Sequence, residues 1–454
     1  MTRFCLMAAL LTLAACAAEP AAFSGAENEV RIMTLAPGHF HAGLVHKYDY
    51  TQVDPVVHVY APDGPEVDAH LALVERFNTR VEEPTQWRLE VYRGPDYLER
   101  MLQDKPGNVG VVAGNNGRKI DYIQAMVGAG IHVLADKPMI IHPDRFADLT
   151  TVLDEADARG LVVADIMTER HAITSVLQKE LSRIPELFGE LEPGSPEDPA
   201  ITKESVHFFY KTVAGAPLVR PPWFFDVTQQ GEAIADVSTH LVDLILWQVF
   251  PGEGIDYREE ADRVEVLEAE AWNTEFSPEQ FERVTGLEEY PDYLRPYLAD
   301  SILGVAANGA FTFGVRGVHG RVSVRWGYTN PGGGDTHFSR MRGTKADLVV
   351  RQDSAQGFRA TLYVEPHGVR PEFAQTLAAA LEGLADYEGL TARPGEYGYE
   401  ILIPDAYVEG HEDHFTRVTQ GYLEALEAGS LPEWERLNLR TKYYVTTQAY
   451  SMSR

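Results

Sequence analysis

Five short apolar runs recur between residues 30 and 166, and segments with helical spacing separate them. The runs cover residues 30–36, 54–61, 108–114, 131–135 and 161–166, and the helical segments cover residues 42–50, 67–79, 96–104, 119–130 and 146–160. Short apolar strands that alternate with helices are typical of a parallel sheet with crossover helices. The first half of the chain is therefore predicted to form a doubly wound α/β domain, a Rossmann fold, with its ligand at the carboxyl ends of the strands.

The pattern changes after about residue 168. Polar and apolar residues then alternate in runs at residues 206–213, 263–272, 309–317, 321–329, 346–352 and 360–366. Such alternation with short links predicts a mainly antiparallel sheet. We therefore predict a dinucleotide-binding Rossmann domain over residues 29–167 and an α+β substrate-binding domain over residues 168–454.

The N-terminal segment has the features of an export signal. Residues 1–15 carry one basic side chain, Arg3, and an apolar stretch from Phe4 to Leu13 that is too short for a bilayer core of ~30 Å. Such a segment is typical of a cleaved secretory signal, and the sequence Leu-Ala-Ala-Cys that ends at Cys16 is similar to a bacterial lipobox. We expect a lipid on Cys16, a tether over residues 16–28, and a protein that faces the periplasm from a bacterial membrane. An ordinary signal that ends in Ala-x-Ala is the alternative.

The composition of the chain after residue 16 limits the kinds of site and partner that we expect. Both cysteines, Cys5 and Cys16, lie in the N-terminal segment, so we expect no disulfide, no thiolate nucleophile and no cysteine metal site in the body. The formal net charge of −29 repels phosphate backbones, which argues against a nucleic-acid partner. The sequence leads us to assign no metal centre.

The turn LAPGHFHAG, after the first predicted strand, is the expected phosphate-binding loop. Glycines in such a turn allow the backbone to approach a pyrophosphate. Gly38 fits the middle position, whereas Ala36 and His41 occupy the flanking ones, and a tight turn with solvated histidines is the alternative. An acid that binds the adenosine ribose usually ends the second strand. Ala61 stands there and Asp63 lies two residues on, so the choice between NAD and NADP stays open.

One predicted helix, residues 231–250, interrupts the second half and carries polar residues that suit catalysis. Asp236, His240 and Asp243 are spaced by four and three positions, so they are predicted to project from one helical face. A histidine between carboxylates suits proton transfer near neutral pH. The alternative is an amphipathic helix whose polar side chains face solvent.

A lysine follows the fourth apolar run. In HVLADKPMII, Lys137 lies between Asp136 and Pro138, and proline ends a strand because it lacks a backbone donor. We therefore expect that Lys137 either forms an ion pair with a carboxylate or takes part in binding or catalysis.

The order of these motifs resembles the Gfo/Idh/MocA oxidoreductases, the family of glucose–fructose oxidoreductase and inositol dehydrogenase. That family usually shows Glu-Lys-Pro, a loop Pro-Asn-x-x-His, and a helix of pattern Asp-x-Gly-x-His-x-x-Asp. The corresponding residues here are Asn116, Asp136, Lys137, Pro138, Asp236, Ser238, His240 and Asp243. The histidine of the loop is absent from this chain. The resemblance is close over residues 30–250 and covers the later strands in order only.

The resemblance implies an NAD(P)-dependent oxidoreductase that acts on a hydroxyl of a sugar, a glycoside or a polyol. It implies that Lys137 reaches the substrate hydroxyl, that His240 accepts the proton, and that Asp236 orients His240 or binds an adjacent hydroxyl. The residues expected to contact the cofactor are Gly38, His39, His41, Asp63, Asn115, Asn116, Asp136, Lys137 and Arg170. Those expected to contact the substrate are Lys137, Arg170, Asp236, Thr239 and His240. Apart from the resemblance, Lys211 and Trp223 could line a sugar pocket, and a core or surface role is the alternative for both.

Two other functions stay open. An NAD-dependent glycosidase would oxidise a sugar hydroxyl, eliminate the aglycone and reduce the product again, whereas a non-catalytic lipoprotein would only bind sugar.

An exported chain without twin arginines crosses the membrane unfolded and meets little free nicotinamide, so we expect a tightly held, internally recycled cofactor. His411 and His414 could bind a metal or simply begin a helix over residues 414–429. We expect a homo-oligomer.

Overall fold

The computed structural model describes residues 23–213, 216–331 and 333–454. The predicted signal, Cys16 and most of the predicted tether lie outside the described residues. Phe23, near the end of that tether, is buried and packs its ring at 5.1 Å from His132. Within the described ranges, the structure contains no helix that is both long enough and apolar enough to cross a membrane.

The N-terminal domain is a doubly wound sheet of six parallel strands within the described residues. Its elements are β1 (Ile32–Leu35), α1 (His41–Leu44), β2 (Val56–Ala61), α2 (Pro65–Thr79), β3 (Arg88–Arg93), α3 (Tyr97–Asp104), β4 (Val109–Val112), α4 (Lys119–Gly128), β5 (His132–Asp136), α5 (Phe146–Ala158) and β6 (Val163–Ile166). The strand order is β3-β2-β1-β4-β5-β6, so the direction of winding reverses between β1 and β4. Ligands of such sheets bind at the carboxyl ends of the strands beside this reversal.

Two elements of this domain differ from the prediction. The helix predicted over residues 42–50 ends at Leu44, because the chain then turns and the carbonyl of His46 accepts the indole N–H of Trp87 at 2.7 Å. Strand β3 was not predicted, since it lies at the sheet edge and its side chains are mostly exposed, which removes the apolar signal.

The C-terminal domain follows as a mixed, mostly antiparallel sheet with helices. Its first elements are α6 (Ile173–Ser182), β7 (Ile201–Phe208), β8 (Thr212–Val213), β9 (Ala216–Pro217), α7 (Ser238–Val249), β10 (Glu265–Phe276), α8 (Pro278–Thr285), β11 (Leu298–Ala299), β12 (Ile302–Val315) and β13 (Val318–Gly327). They are followed by β14 (Thr336–Arg342), β15 (Ala346–Gln352), β16 (Thr361–Pro366), α9 (Phe373–Glu382), β17 (Thr391–Gly395), β18 (Gly398–Leu402), α10 (His411–Ala428) and α11 (Glu433–Met452).

The large sheet has the strand order β10-β12-β13-β7-β14-β15-β16-β18-β17, and β11 pairs with β12. The pair β7–β13 is parallel, and the other neighbours in this order are antiparallel. The predicted fold class, a Rossmann domain followed by an α+β domain with a mainly antiparallel sheet, is therefore confirmed.

The last two helices return to the first domain. Helix α10 packs Phe415 and Tyr422 into the core around Val57 and Val59 of β2. Helix α11 contributes to two cores, with Val445 beside α7 and Tyr443 beside the N-terminal sheet. The two domains are thus joined by the C-terminal helices as well as by the chain between β6 and α6.

Candidate active site

The two domains meet at the carboxyl ends of the parallel strands. Lys137 follows β5 directly, and its Nζ lies 2.7 Å from Oδ1 of Asp236 in the C-terminal domain. Asp236 belongs to a turn that precedes α7, whereas His240 lies in the first turns of that helix. Gln230 donates to the second oxygen of Asp236 at 3.1 Å. The structure therefore brings together the three residues predicted to be catalytic, although only His240 lies within the helix itself.

Burial and charge set the protonation states of this cluster. Burial acts to lower the pKa of Lys137, but the Asp236 and Asp136 carboxylates raise it above its ordinary value. Burial, together with the nearby ammonium of Lys137, lowers the pKa of His240 well below its ordinary value. Nδ1 of His240 is buried and has no hydrogen-bond partner within the described residues. At neutral pH the site accordingly holds a charged lysine next to a neutral imidazole.

The turn after β1 crosses the reversal point of the sheet. The backbone N–H groups of Gly38 and His39 both donate to the carbonyl of Ala113, which follows β4, at 3.0 and 3.2 Å. Gly114 allows this approach, because a Cβ at that position would lie 2.6 Å from the carbonyl oxygen of Ala36. The turn is thus held over β4 and carries its histidines toward β5.

Three side chains converge where this turn reaches β5. Nδ1 of His41 lies 2.9 Å from Oδ2 of Asp136, and Nδ1 of His39 lies 3.7 Å from the same oxygen. Burial alone would raise the pKa of Asp136, but His41 and Lys119 lower it below its ordinary value. Burial and the neighbouring His41 lower the pKa of His39 well below its ordinary value. The cluster therefore pairs an ionised carboxylate with a neutral His39.

The loop after β4 binds the C-terminal domain. Nδ2 of Asn115 donates to Gln229 Oε1 at 2.7 Å, and Nδ2 of Asn116 donates to the carbonyl of Gln230 at 2.8 Å. Lys119, which is fully buried, donates to Asn116 Oδ1 at 2.6 Å and to the carbonyl of Asp136 at 2.7 Å. The two asparagines therefore join the two domains.

Two other residues predicted to line the site form ion pairs with residues outside this cluster. Asp63 pairs with Arg93 at 2.9 Å, and its side chain is 81% exposed. Lys211 pairs with Asp335 at 2.8 Å.

Three further predicted residues lie close to the cluster or support it. Arg170 binds Asp243 through two hydrogen bonds of 2.6 Å each. The buried hydroxyl of Thr239 donates to the carbonyl of Ala235 at 2.8 Å. Trp223 lies beside Gly38, since a Cβ built on that glycine would be 3.6 Å from the indole.

A cavity of about 730 Å³ opens between α6, α10 and the large sheet. Polar residues in its wall include Glu169, Lys203, His337, His411 and His414. Sequence analysis did not single out Glu169, Lys203 or His337. The signal for Lys203 was available, because Ile201, Lys203 and Ser205 alternate as the buried positions of β7.

The residues present fit the nicotinamide end of the expected dinucleotide better than its diphosphate. The ends of β4 and β5 supply amide and ammonium groups, and the buried, unpaired Nδ1 of His240 faces no protein partner within the described residues. At the turn after β1, by contrast, the amides of Gly38 and His39 are already bonded to Ala113. Helix α1 has only four residues and adds little dipole. The dinucleotide would be held mainly by side chains and by domain closure.

Comparison with known proteins agrees with this architecture. Residues 41–164 match the family model described as "Oxidoreductase family, NAD-binding Rossmann fold", and residues 177–454 match the model described as "Putative oxidoreductase C terminal domain". No curated protein sequence matches the chain.

Solved structures give the same result. A crystal structure of an oxidoreductase from Parabacteroides merdae is similar with a TM-score of 0.92 and 48% identity, covering 95% of this chain and 99% of that chain. A levoglucosan dehydrogenase in complex with NADH and levoglucosan has a TM-score of 0.58 and 13% identity, covering 93% and 97%. GenD2 from gentamicin A biosynthesis, in complex with NAD, has a TM-score of 0.57 and 16% identity, covering 96% of each chain. At the two lower identities the likeness shows the fold alone.

The match over residues 177–454 covers more than half of the chain, and the Parabacteroides protein is alike over almost its whole length. The expected nicotinamide cofactor agrees with the NAD-binding description of the N-terminal model. The chain belongs to the Gfo/Idh/MocA family of oxidoreductases, enzymes with an NAD-binding Rossmann fold.

Proposed function

We propose that the protein oxidises a hydroxyl group of a sugar, a glycoside or a polyol, with NAD as the hydride acceptor. The observation that carries this proposal is the contact of 2.7 Å between Lys137 and Asp236, with His240 beside it, at the junction of the two domains. Two structural neighbours, a levoglucosan dehydrogenase with NADH and its sugar and GenD2 with NAD, have the same fold.

His240 and Lys137 divide the proton and charge transfer between them. The neutral imidazole of His240 takes the hydroxyl proton as the carbinol becomes a carbonyl. The ammonium of Lys137 stabilises the negative charge that develops on the oxygen. Asp236 holds the Lys137 side chain toward the C-terminal domain and keeps it charged. Bound NAD supplies the acceptor for the hydride that leaves the carbon.

The cofactor would be held by residues at the ends of three strands. Gly38 and the turn around it lie at β1, Asn115 and Asn116 at β4, and Asp136 and Lys137 at β5. The bonds from Asn115 and Asn116 to the C-terminal domain favour a crevice closed by that domain. Such a closed crevice would exclude water from the position where hydride would be transferred.

The polar cavity favours a substrate with several hydroxyl groups. Its volume of about 730 Å³ exceeds what one small polyol needs, and its wall offers a lysine amine, a carboxylate and imidazoles as hydrogen-bond partners. Its lining includes His411, whose ring centroid lies 5.9 Å from that of His41 at the crevice. A glycoside or a disaccharide therefore suits the site better than a single triose or tetritol.

The direct test measures reduced nicotinamide by its near-ultraviolet absorbance when the full-length protein receives NAD and a panel of monosaccharides, glycosides and polyols. Substrate-dependent reduction supports the proposal. Cleavage of a glycoside without net reduction would favour the redox-neutral glycosidase, and sugar binding without either reaction would favour a binding protein. Both of those outcomes overturn a simple dehydrogenase.

We also propose that the chain is exported and carries a lipid on Cys16, as the Leu-Ala-Ala-Cys sequence suggests. Mass spectrometry of the mature N-terminus and membrane fractionation of the Cys16→Ala variant test this. A lipid on Cys16 and release of the variant from the membrane are expected. A mature chain that begins elsewhere, or an unlipidated Cys16, would contradict the proposal.

An exported enzyme would need to retain its cofactor. We propose that NAD is bound with a Kd below ~1 µM, about −8 kcal/mol, and is regenerated within one catalytic cycle or by a second sugar. Turnover without added NAD by protein that was loaded once and then desalted is the expected result. Millimolar binding with strict dependence on added NAD would rule out recycling.

A further inference from the structure

The cluster of His39, His41 and Asp136 has a geometry that catalysis by Lys137 and His240 does not explain. One ring nitrogen of each histidine and one carboxylate oxygen all lie within 4.8 Å of one another. The separations from Oδ2 of Asp136 are 2.9 Å to His41 and 3.7 Å to His39. Ligands bound tetrahedrally to zinc at ~2.0–2.1 Å are separated by about 3.3 Å, which lies between these two distances.

Neither neighbouring lysine forms a hydrogen bond with the Asp136 carboxylate. Lys119 donates to the backbone carbonyl of Asp136 and to Asn116, whereas Lys137 binds Asp236. Among the described residues, the Asp136 side chain is hydrogen-bonded only to His41, and its Oδ1 is buried without a partner.

A second buried polar atom without a hydrogen-bond partner within the described part of the chain belongs to His39 of the same cluster, and this atom is Nδ1. Leaving two buried polar atoms unsatisfied, on His39 and on Asp136, is costly in a folded protein. One ion between the three side chains would satisfy Nδ1 of His39, and a carboxylate that binds the ion through both oxygens would also satisfy Oδ1 of Asp136.

We propose that His39, His41 and Asp136 bind a divalent transition-metal ion such as Zn²⁺ or Mn²⁺. Two imidazoles and one carboxylate form a ligand set that such ions accept, and three protein ligands leave coordination positions open to an oxygen atom of a bound molecule. The ion replaces the missing glycine-rich cradle with a positive charge at the end of β1. The inference goes beyond the proposed function and does not depend on it.

The backbone supports the site from both sides. The backbone hydrogen bonds from Gly38 and His39 to Ala113 fix the turn after β1, which carries both histidines, over β4. Asp136 is the last residue of β5. The ligands therefore come from a rigid sheet edge and a locked turn, which a metal site needs for fixed geometry.

The test titrates zinc and, separately, manganese into protein that has been stripped with a chelator, without nucleotide or sugar. Calorimetry is expected to show about one ion per chain for one of the two metals. His39→Ala and Asp136→Asn should each weaken binding by more than ~100-fold, the upper range for loss of a mere outer-sphere partner. Absence of binding in the wild-type protein would overturn the proposal.

His367→Ala is the matched control, because His367 Nε2 lies 2.9 Å from Asp347 Oδ1 in a similar pair that is 42% exposed at the histidine. The His367→Ala variant should bind the metal ion as tightly as the wild type. If it weakened metal binding as much as His39→Ala and Asp136→Asn do, the assignment would be overturned. Anomalous diffraction from wild-type crystals soaked in zinc decides the location even if a ligand variant fails to fold. A peak between the three side chains is expected, and a peak elsewhere alone contradicts the site.

Discussion

Arg170 and Asp243 form a bidentate ion pair, in which Nε and Nη2 of the arginine each lie 2.6 Å from a carboxylate oxygen. Nη1 of Arg170 binds Glu435 of α11 at 2.7 Å, and Lys442 of the same helix lies 3.0 Å from Asp243. The guanidinium was predicted to contact cofactor and substrate. In the structure its donors bind two carboxylates and join the segment after β6 to α7 and α11.

Replacing Arg170 by alanine should destabilise the fold. The change leaves Asp243 buried with only Lys442 as a counter-charge, and breaking a buried pair in this way costs ~3–5 kcal/mol. Chemical denaturation measures the free energy of unfolding. Arg295→Ala is the control, because its pair with Asp292 is 74% and 88% exposed, and its effect should stay within about 0.5 kcal/mol. Equal effects of the two variants would refute a structural role for Arg170.

Removing either reactive side chain should abolish most turnover. Lys137→Ala and His240→Ala are each expected to lower kcat by a factor on the order of 100 or more, since proton transfer and charge stabilisation contribute on that scale. Steady-state kinetics on the best substrate of the panel measures the loss, and His142→Ala, whose side chain is 49% exposed, serves as the control. Near-normal turnover in a folded Lys137 or His240 variant would show that the assignment is wrong.

A methyl group at Gly114 should disturb the turn after β1. Its Cβ would lie 2.6 Å from the carbonyl oxygen of Ala36 and 2.8 Å from the amide of Gly38, so the turn must move. We expect Gly114→Ala to lower the free energy of unfolding by ~1–3 kcal/mol and to weaken NAD binding. Gly128→Ala in α4 is the control, because its Cβ meets nothing within 4 Å and alanine favours helix. A Gly114 variant as stable as that control would contradict the close approach.

The buried Lys203 should make stability depend on pH. Burial lowers the pKa of Lys203 to about 7, from 10.5. Between about pH 7 and pH 10.5 the unfolded chain binds more protons at Lys203 than the folded protein does. The contribution of Lys203 to the free energy of unfolding therefore rises with pH over this range. Below about pH 7 the full cost of burying the charged lysine is present. Lys203→Met should therefore be more stable by on the order of 1–3 kcal/mol at pH 6 to 7, with the difference shrinking toward about pH 10.

Denaturation curves at several pH values measure this difference. Lys105→Met is the control, because Lys105 is exposed and its replacement should change the free energy of unfolding by no more than about 0.5 kcal/mol. A Lys203→Met variant that is less stable than the wild type at every pH would mean that the hydrogen bond of 2.8 Å to Ser339 outweighs the cost of burial.

Periodicity predicted the fold because local spacing reports which side of an element is buried. The apolar runs at β1, β2, β4, β5 and β6 are nearly continuous, as expected for strands covered on both faces. Strand β14, with the sequence Thr-His-Phe-Ser-Arg-Met-Arg, escaped the prediction because its side chains are nearly all half-buried and give no clear alternation.

The site was harder to predict, since the contacts that define it join distant parts of the chain. The spacing within DVSTHLVD suggested one face for Asp236, His240 and Asp243, but Asp236 binds Lys137 whereas Asp243 binds Arg170. The approach of His41 to Asp136 depends on how the turn after β1 passes over β4, which no local pattern encodes.

The return of the C-terminal helices to the first domain has a consequence for the order in which the molecule assembles. The hydroxyl of Tyr443 accepts the backbone N–H of Met139 at 2.9 Å and donates to Asp165 at 2.8 Å, and Lys442 binds Asp165 as well. These partners are synthesised long after the N-terminal domain. That domain therefore cannot complete its core as an independent unit during synthesis, and its final packing waits for α11. A nascent protein of this kind stays unfinished until this helix leaves the ribosome.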